Sequence, residues 1–249
     1  MFTLHNGDCL QVMPTIPSGS IDAIITDWPY GTTACKWDTI IPFEPMWKEV
    51  KRVLKPNGAF ITTSCQPFTS ALVMSNPSMF KVEWVWVKNR VTGFASVKYK
   101  PMNGHENILV FGKGRITYNP IFEETISEIT KAFAKNGTKR RQKRGNSPHS
   151  FGLKDQITDF KEMVYPKTYQ FFDCVPLKRG TLHPSQKPIE LYEYLIKTYT
   201  NDGETILDIA MGSGTTIEAA RRNNRNAIGI EKDKHYFEVA ERRLNNGLL

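Results

Sequence analysis

Two short stretches, far apart in the chain, carry the side chains that could do chemistry. The first is Asp27-Trp28-Pro29-Tyr30, with Gly31 behind it, at the end of the apolar run Ile21 to Thr26. A carboxylate accepts hydrogen bonds from an amino group, the Trp28 carbonyl accepts another, Pro29 stiffens the turn and Tyr30 offers a ring for stacking. Together these groups could hold the exocyclic amine of a nucleobase; the same tetrapeptide could also simply close a strand with a proline–glycine turn. The second stretch is Gly212-Ser213-Gly214, with Glu231 lying 19 residues beyond Gly212. Glycines there let a backbone approach a ligand at a helix N-terminus, and an acid ending the next strand can grip both hydroxyls of a ribose. Ile217 occupies the place of the third glycine in the dinucleotide fingerprint. That departure argues against NAD and leaves a nucleoside-bearing ligand without pyrophosphate.

The elements that must position these groups follow from hydrophobic spacing. Phe2–Leu4 reads as a short strand that breaks into the turn Asn6-Gly7-Asp8-Cys9, with a short helix over Leu10–Met13. Ile21–Thr26 reads as a buried strand, which puts Asp27 and Tyr30 at its carboxyl edge, where open α/β sheets bind ligands. Phe43, Met46, Trp47, Val50, Val53 and Leu54 recur at helical spacing between Pro42 and Lys55-Pro56-Asn57-Gly58. Ala59–Thr63 is a predicted strand, Phe68–Met74 a helix and Val82–Lys88 a strand, an alternation that belongs to an α/β sheet. Glu106–Phe111 adds a strand with no crossover helix before it, so antiparallel pairing is expected. Towards the other end, Ile189, Tyr192, Leu195, Ile196 and Tyr199 share one helical face. Thr205–Ile209, the glycine stretch, a helix to about Asn224 and the strand Ala227–Glu231 then make a nucleotide-type βαβ unit. A last helix places Phe237, Ala240 and Leu244 inward.

Between Gly114 and Leu182 this pattern dissolves. Residues 115–182 hold 13 Lys and Arg against 7 Asp and Glu, a net +6 of the chain's +8. Most of the excess lies in Lys131–Arg144, which has no acid. Such a run is either a solvated loop or a phosphate-binding arm. The aromatics that follow, Phe151, Phe160, Tyr165, Tyr169, Phe171 and Phe172, favour a small folded insert bearing that arm. The whole chain, 249 residues with a pI near 9.2, can bury a sizeable core and favours a polyanionic partner. Its four cysteines, Cys9, Cys35, Cys65 and Cys174, are scattered without C-x-x-C spacing, so no metal site and no disulfide framework is expected. With no signal-peptide pattern and no long apolar run, the sequence reads as a soluble cytoplasmic protein without a membrane partner.

Taken together, Asp27-Trp28-Pro29-Tyr30, Asp208-Ile209-Ala210-Met211-Gly212-Ser213-Gly214-Thr215-Thr216, Asn6-Gly7-Asp8-Cys9 and His183-Pro184-Ser185-Gln186-Lys187-Pro188 resemble the motifs of the β-group of amino-directed DNA methyltransferases. The resemblance covers roughly 1–114 and 183–249. It implies an α/β, Rossmann-like class I methyltransferase fold: a mostly parallel seven-stranded sheet with one reversed strand, circularly permuted. The implied division is a first catalytic part over 1–114, a basic DNA-recognition insert over 115–182 and a cofactor-binding part over 183–249. The cofactor implied is S-adenosylmethionine. Its site would comprise Asp8, Cys9, Asp27, Pro184, Lys187, Asp208, Ala210, Met211, Gly212, Ser213, Gly214, Thr215, Thr216 and Glu231. Within it Asp208 and the glycine backbone hold the methionine part, Glu231 the ribose and Asp8 the adenine amino group. Pro184 and Lys187 pack beside the methionine, although Lys187 fits a surface position equally well.

Asp27, Trp28, Pro29 and Tyr30 are the implied catalytic residues. Asp27 and the Trp28 carbonyl would accept both N–H groups of the target amine while Tyr30 stacks on the base, drawing the nitrogen towards a nucleophilic, tetrahedral shape. The sequence departs from the family pattern at Trp28, which replaces a proline, and at Ile209-Ala210, which replaces the usual Pro-Phe. The partner implied is double-stranded DNA, with Lys135, Lys139, Arg140, Arg141, Lys143 and Arg144 on phosphates. Family habit associates an initial Asp with adenine N6, so the expected activity is site-specific adenine methylation by a monomer or homodimer. Cytosine N4 methylation is the nearest alternative, and an inactive DNA-binding module that keeps the cofactor fold is another.

Overall fold

The computed structural model describes residues 1–31, 39–124, 163–175, 182 and 186–246. Two compact units divide the chain: Met1–Asn119 with Thr168–Leu249, and Pro120–Lys167. In the smaller unit the described residues form one short antiparallel pair, β6 (Glu123–Glu124) with β7 (Met163–Val164), beside which Phe122 meets Tyr165 at 4.8 Å between ring centroids. The sequence boundaries of 115 and 182 do not coincide with this unit, because residues on both flanks of it pack with the larger one.

The larger unit is built on one eight-stranded sheet. Its strands are β1 (Phe2–Asn6), β2 (Ile21–Thr26), β3 (Leu54–Ser64), β4 (Phe80–Thr92), β5 (Asn103–Gly112), β8 (Tyr169–Phe172), β9 (Thr205–Asp208) and β10 (Asn226–Glu231), in the order β1-β10-β9-β2-β3-β5-β4-β8. All pairs are parallel except those made by β5, which runs against both β3 and β4. The expected mostly parallel sheet with one reversed strand is therefore present, with eight strands instead of seven. The extra strand is β8, whose aromatics the sequence assigns to the insert; it pairs Val85 to Tyr169 and Lys88 to Phe172 at the sheet edge.

Helices cover both faces, which is why β2 is buried at all six residues and reads as a continuous apolar run. One face carries α1 (Cys9–Val12), α2 (Phe43–Val53) and α3 (Phe68–Ser75); the other carries α4 (Ile189–Tyr199), α5 (Thr215–Arg222) and α6 (Lys234–Asn246). Helix α2 has Glu44 in its first turn and Lys51 and Arg52 in its last, charges that complement the helix dipole. Arg52 then donates to the Met13 and Ile16 carbonyls at 2.6 and 2.7 Å, fastening the connection between α1 and β2. Along β2, Ala23 and Ile25 face the α4–α6 side and Ile24 the α1–α3 side, as strand alternation requires.

The ends of the chain meet. β1 lies parallel to β10 with Asn6 opposite Glu231, the Gly7 N–H donates to the Glu231 carbonyl at 2.9 Å, and the Asn6 side-chain amide donates to the same oxygen. A strand that starts the chain thus completes the unit that ends it, the arrangement expected of a permuted sheet. Because β1, β10, β9, β2 and β3 are parallel, their carboxyl ends share one edge. The reversed strand β5 brings its beginning, Asn103 to Glu106, to that same edge.

Candidate active site

A cavity of about 860 Å³ opens along this edge, within the usual range for ligand pockets. At one end stand Asp8, Cys9, Glu231, Lys232, Asp233 and Tyr236; in the middle Asp208 to Ser213 with Thr215 and Thr216; at the other end Asp27 to Tyr30, Glu106, Lys187 and Tyr192. Asp27, Trp28, Pro29, Tyr30, Asp8, Cys9, Lys187, Asp208, Ala210, Met211, Gly212, Ser213, Thr215, Thr216 and Glu231 all line it. Gly214 supports the wall from behind: it caps α5 with φ +79°, and a Cβ there would stand 3.2 Å from Ala240 and 3.3 Å from Leu244. Pro184 and the predicted DNA-binding residues Lys135, Lys139, Arg140, Arg141, Lys143 and Arg144 lie outside the described residues.

The glycine loop is shaped by its own backbone. Gly212 has φ +51° and its N–H donates to Glu231 Oε2 at 2.8 Å, while the Asp233 N–H donates to Oε1 at 2.8 Å. Burial raises the Glu231 carboxyl above its ordinary range although these two donors favour the anion. Asp208 accepts from Thr26 Oγ1 at 2.7 Å and from the Ala210 N–H at 3.1 Å, which ties the ends of β9 and β2 together. Burial pushes its carboxyl up to about 6. Asp8 caps α1 by accepting from the Leu10 N–H at 2.9 Å and pairs with Lys232 at 3.0 Å. Burial works against its ionisation, but the Lys232 ammonium and the Leu10 N–H outweigh it and hold the carboxyl below the usual value. The neighbouring Cys9 thiol is pushed up to about 12 by burial, so it stands in the wall as a neutral group.

At the other end the Asp27 carboxylate is gripped through Oδ1. Tyr30 donates its hydroxyl at 2.8 Å, Thr63 donates its Oγ1, and Lys187 Nζ stands 3.3 Å away. Lys187 also pairs with Glu106 at 2.9 Å, and Glu106 with Lys88 at 3.1 Å. Burial alone would lower the Lys187 ammonium; Asp27 and Glu106 more than offset it and keep the group protonated. Lys187, its side chain 10% exposed, thus stands in the cavity wall facing two carboxylates. Its ammonium also lies 5.6 Å from the centre of the Tyr30 ring.

Trp28, the departure from the family motif, is a core residue. Its side chain is 1% exposed and sits among Phe43, Phe60 and Phe68 at 5.8 to 6.0 Å between ring centroids. Among the described residues its indole N–H has no hydrogen-bond partner, so it serves as an apolar anchor that roots the loop in the α1–α3 core. Tyr30 packs at 5.4 Å against the same Phe68.

Several residues of the site escape sequence reasoning. Glu106 reads as the first residue of an apolar strand; only the reversal of β5 carries it to the site, and an antiparallel pairing pursued to its end would have found it. Thr63, next to last in β3, is hidden in a run of buried residues and joins the site through its hydroxyl bond to Asp27. Tyr192 is assigned to the core by helical periodicity, and it is buried at 2%, yet it also reaches the cavity. Tyr236, on the first turn of α6, adds an aromatic side chain to the lining beside Glu231, Lys232 and Asp233.

A family model described as DNA methylase matches residues 21–242. The chain is 28% identical over 254 residues to the type II methyltransferase M.HpaI of Haemophilus parainfluenzae, covering 96% of this chain and 73% of that protein. It is 26% identical over 265 residues to the type II methyltransferase M1.MboII of Moraxella bovis, covering 97% and 96%. It is 29% identical over 261 residues to the DNA adenine methyltransferase YhdJ of Escherichia coli K12, covering 98% and 82%. Among solved structures, M1.HpyAVI in complex with SAM aligns with TM-score 0.63 at 21% identity, over 98% of this chain and 100% of that one. The cytosine-N4-specific PvuII DNA methyltransferase aligns with TM-score 0.66 at 17% identity, over 97% and 86%.

Proposed function

The chain belongs to the DNA methylase family, the S-adenosylmethionine-dependent amino-methyltransferases of the N6-adenine and N4-cytosine type, and from that premise we propose that it methylates the N6 amine of a flipped adenine at a defined site in double-stranded DNA. The observation that carries this reading is Asp27, held by Tyr30, Thr63 and Lys187 in the same cavity as the Gly212 loop and Glu231.

The donor set fits S-adenosylmethionine. Three carboxylates, Asp8, Asp208 and Glu231, are spaced along one cavity and suit an adenine amino group, an ammonium and a ribose diol in turn. Gly212 and the helix start behind it let the backbone approach closely, and Tyr236 supplies the flat apolar contact. When bound, the cofactor supplies an electrophilic methyl group. The chain's own part is to make the amine nucleophilic: Asp27 and the Trp28 carbonyl accept its two N–H groups, which draws the lone pair out of the ring, while Tyr30 stacks on the base. Thr63 and Lys187 keep Asp27 fixed, so little reorganisation is needed as the nitrogen becomes cationic. After transfer, Asp27 accepts the proton that the amine sheds.

Adenine is favoured by the initial Asp of the tetrapeptide and by the 29% identity to the adenine methyltransferase YhdJ. The similarity to the PvuII enzyme concerns the fold. The type II relatives support modification of one sequence, and the +6 region 115–182 is the segment proposed to read it. Its cations at Lys135, Lys139, Arg140, Arg141, Lys143 and Arg144 suit phosphates, which position the protein on DNA. The test is transfer of tritiated methyl groups to mixed DNA, followed by digestion to nucleosides. Label in N6-methyladenine is expected; label in N4-methylcytosine would move the substrate to cytosine. No label, with DNA still retained on a filter, would leave an inactive DNA-binding module.

A further inference from the structure

The hairpin that joins β4 to β5 ends in the pair Thr92 and Asn103, and both residues line the target end of the cavity. The residues between them, Gly93 to Met102, stand beyond the sheet. All are exposed except Ser96, which is half-buried. Among them Tyr99 is 89% exposed and Phe94 67% exposed. Lys98 and Lys100 flank Tyr99, and no acid lies between Gly93 and Met102.

This tip is ordered by its own backbone. Gly93 turns the chain with φ +95°, the Ser96 N–H donates to the Gly93 carbonyl at 3.0 Å, and the Tyr99 and Lys100 N–H groups donate to the Ser96 carbonyl at 2.9 and 3.1 Å. The rings are thus presented outward on a turn already formed, at little further cost in chain entropy. Aromatic rings interleaved with cations, and free of acids, match single bases and phosphates: rings stack on bases, cations bind the backbone.

A base drawn into the cavity leaves a gap in the duplex, and a side chain that fills the gap holds the base out. We propose that the Gly93–Met102 tip enters the duplex beside the target base, with Tyr99 filling the vacated place, Phe94 against the adjoining stack, and Lys98 and Lys100 on the flanking phosphates. This role rests on the reading of duplex DNA as substrate and is distinct from that of the Lys131–Arg144 run: the tip governs base extrusion, the run general affinity.

The experiment uses the full chain and a duplex bearing the site that methylation-sensitive sequencing identifies, either fully paired or with the target base opposite an abasic position. Unpairing removes most of the work of extrusion. The double variant F94A/Y99A is expected to lose about 10- to 100-fold in kcat/KM on the paired duplex. On the abasic duplex it should stay within about twofold of the wild type, because that base is already free. Cofactor affinity and the unfolding midpoint, measured alongside, should be unchanged, since Tyr99 and Phe94 bury little. Equal losses on both duplexes, or none on either, would overturn the proposal. So would an unchanged paired-to-abasic ratio accompanied by an altered oligomeric state, which would make the tip an interface between copies of this chain. A wild type that transfers methyl groups to neither duplex would sink the methyltransferase reading itself, and the tip's role with it.

Discussion

Lys187 Nζ stands 3.3 Å from Asp27 Oδ1, so the carboxylate that is to hold a neutral amine already faces a buried cation. The cation comes from the segment just before α4 and the carboxylate from the end of β2, and Glu106 on β5 closes the group from the far side. Three distant parts of the chain therefore meet at one ammonium group. The arrangement is costly to assemble, because each charge leaves water, and costly to break, because removing one member strands the others.

Replacing Lys187 with Met should destabilise the fold by about 3 kcal/mol, since Asp27 then loses its ammonium partner and Glu106 keeps only Lys88. Adding Glu106→Gln should recover part of the loss. Urea unfolding of the two single variants and the double variant measures this coupling; strictly additive losses would mean that the pair is not coupled.

Asp27→Ala should abolish methyl transfer while leaving S-adenosylmethionine affinity within a few-fold, because the Asp208 and Glu231 groups are untouched. Equilibrium binding of the cofactor beside a transfer assay separates the two effects. A large loss of cofactor binding would contradict the assignment of Asp27 to the target amine.

Trp28→Ala should cost about 3–5 kcal/mol, the usual penalty for emptying an aromatic core position. Trp28→Phe should fold and retain transfer, since the indole N–H has no hydrogen-bond partner among the described residues. If Trp28→Ala kept its stability and lost only activity, the side chain would have a role in chemistry that its burial does not indicate.

Burial pushes the Asp208 carboxyl up to about 6, from an ordinary 3.8. Holding a cationic ligand needs the anion, so below pH 6 binding must first release a proton. Cofactor affinity should therefore weaken as pH falls through about 6, by up to about tenfold per pH unit. Glu231, also raised by burial, acts in the same direction. For folding the sign is opposite: the folded state favours the protonated acid, so the contribution of Asp208 to stability declines as pH rises from 3.8 to about 6. Calorimetric titrations at several pH values should show the slope, and Asp208→Asn should flatten it.

Alanine at Lys139, Arg140, Arg141, Lys143 and Arg144 together should weaken DNA binding and reduce the steepness of its salt dependence, by about one unit of slope for each phosphate left without its cation. Filter binding over a range of salt concentrations measures it. An unchanged slope would return the Lys131–Arg144 run to a solvated loop.

Local pattern and motif spacing determined a good deal. The buried run Ile21–Thr26, the helical faces of α2 and α4 and the glycine turn before α5 are legible because strand and helix impose periods on neighbouring residues, and the sheet edge then places Asp27 beside Asp208 and Glu231. The reversed strand was legible from the missing crossover. What tertiary structure alone decided depends on partners distant in sequence. Trp28 is a core residue because Phe43, Phe60 and Phe68 converge on it, and Lys187 is buried because Asp27 and Glu106 meet it. Likewise Tyr169–Phe172 joins the sheet because the edge of β4 has free backbone groups to pair, a need that composition does not record. A side chain's type states what it can bond; only the fold states what it meets.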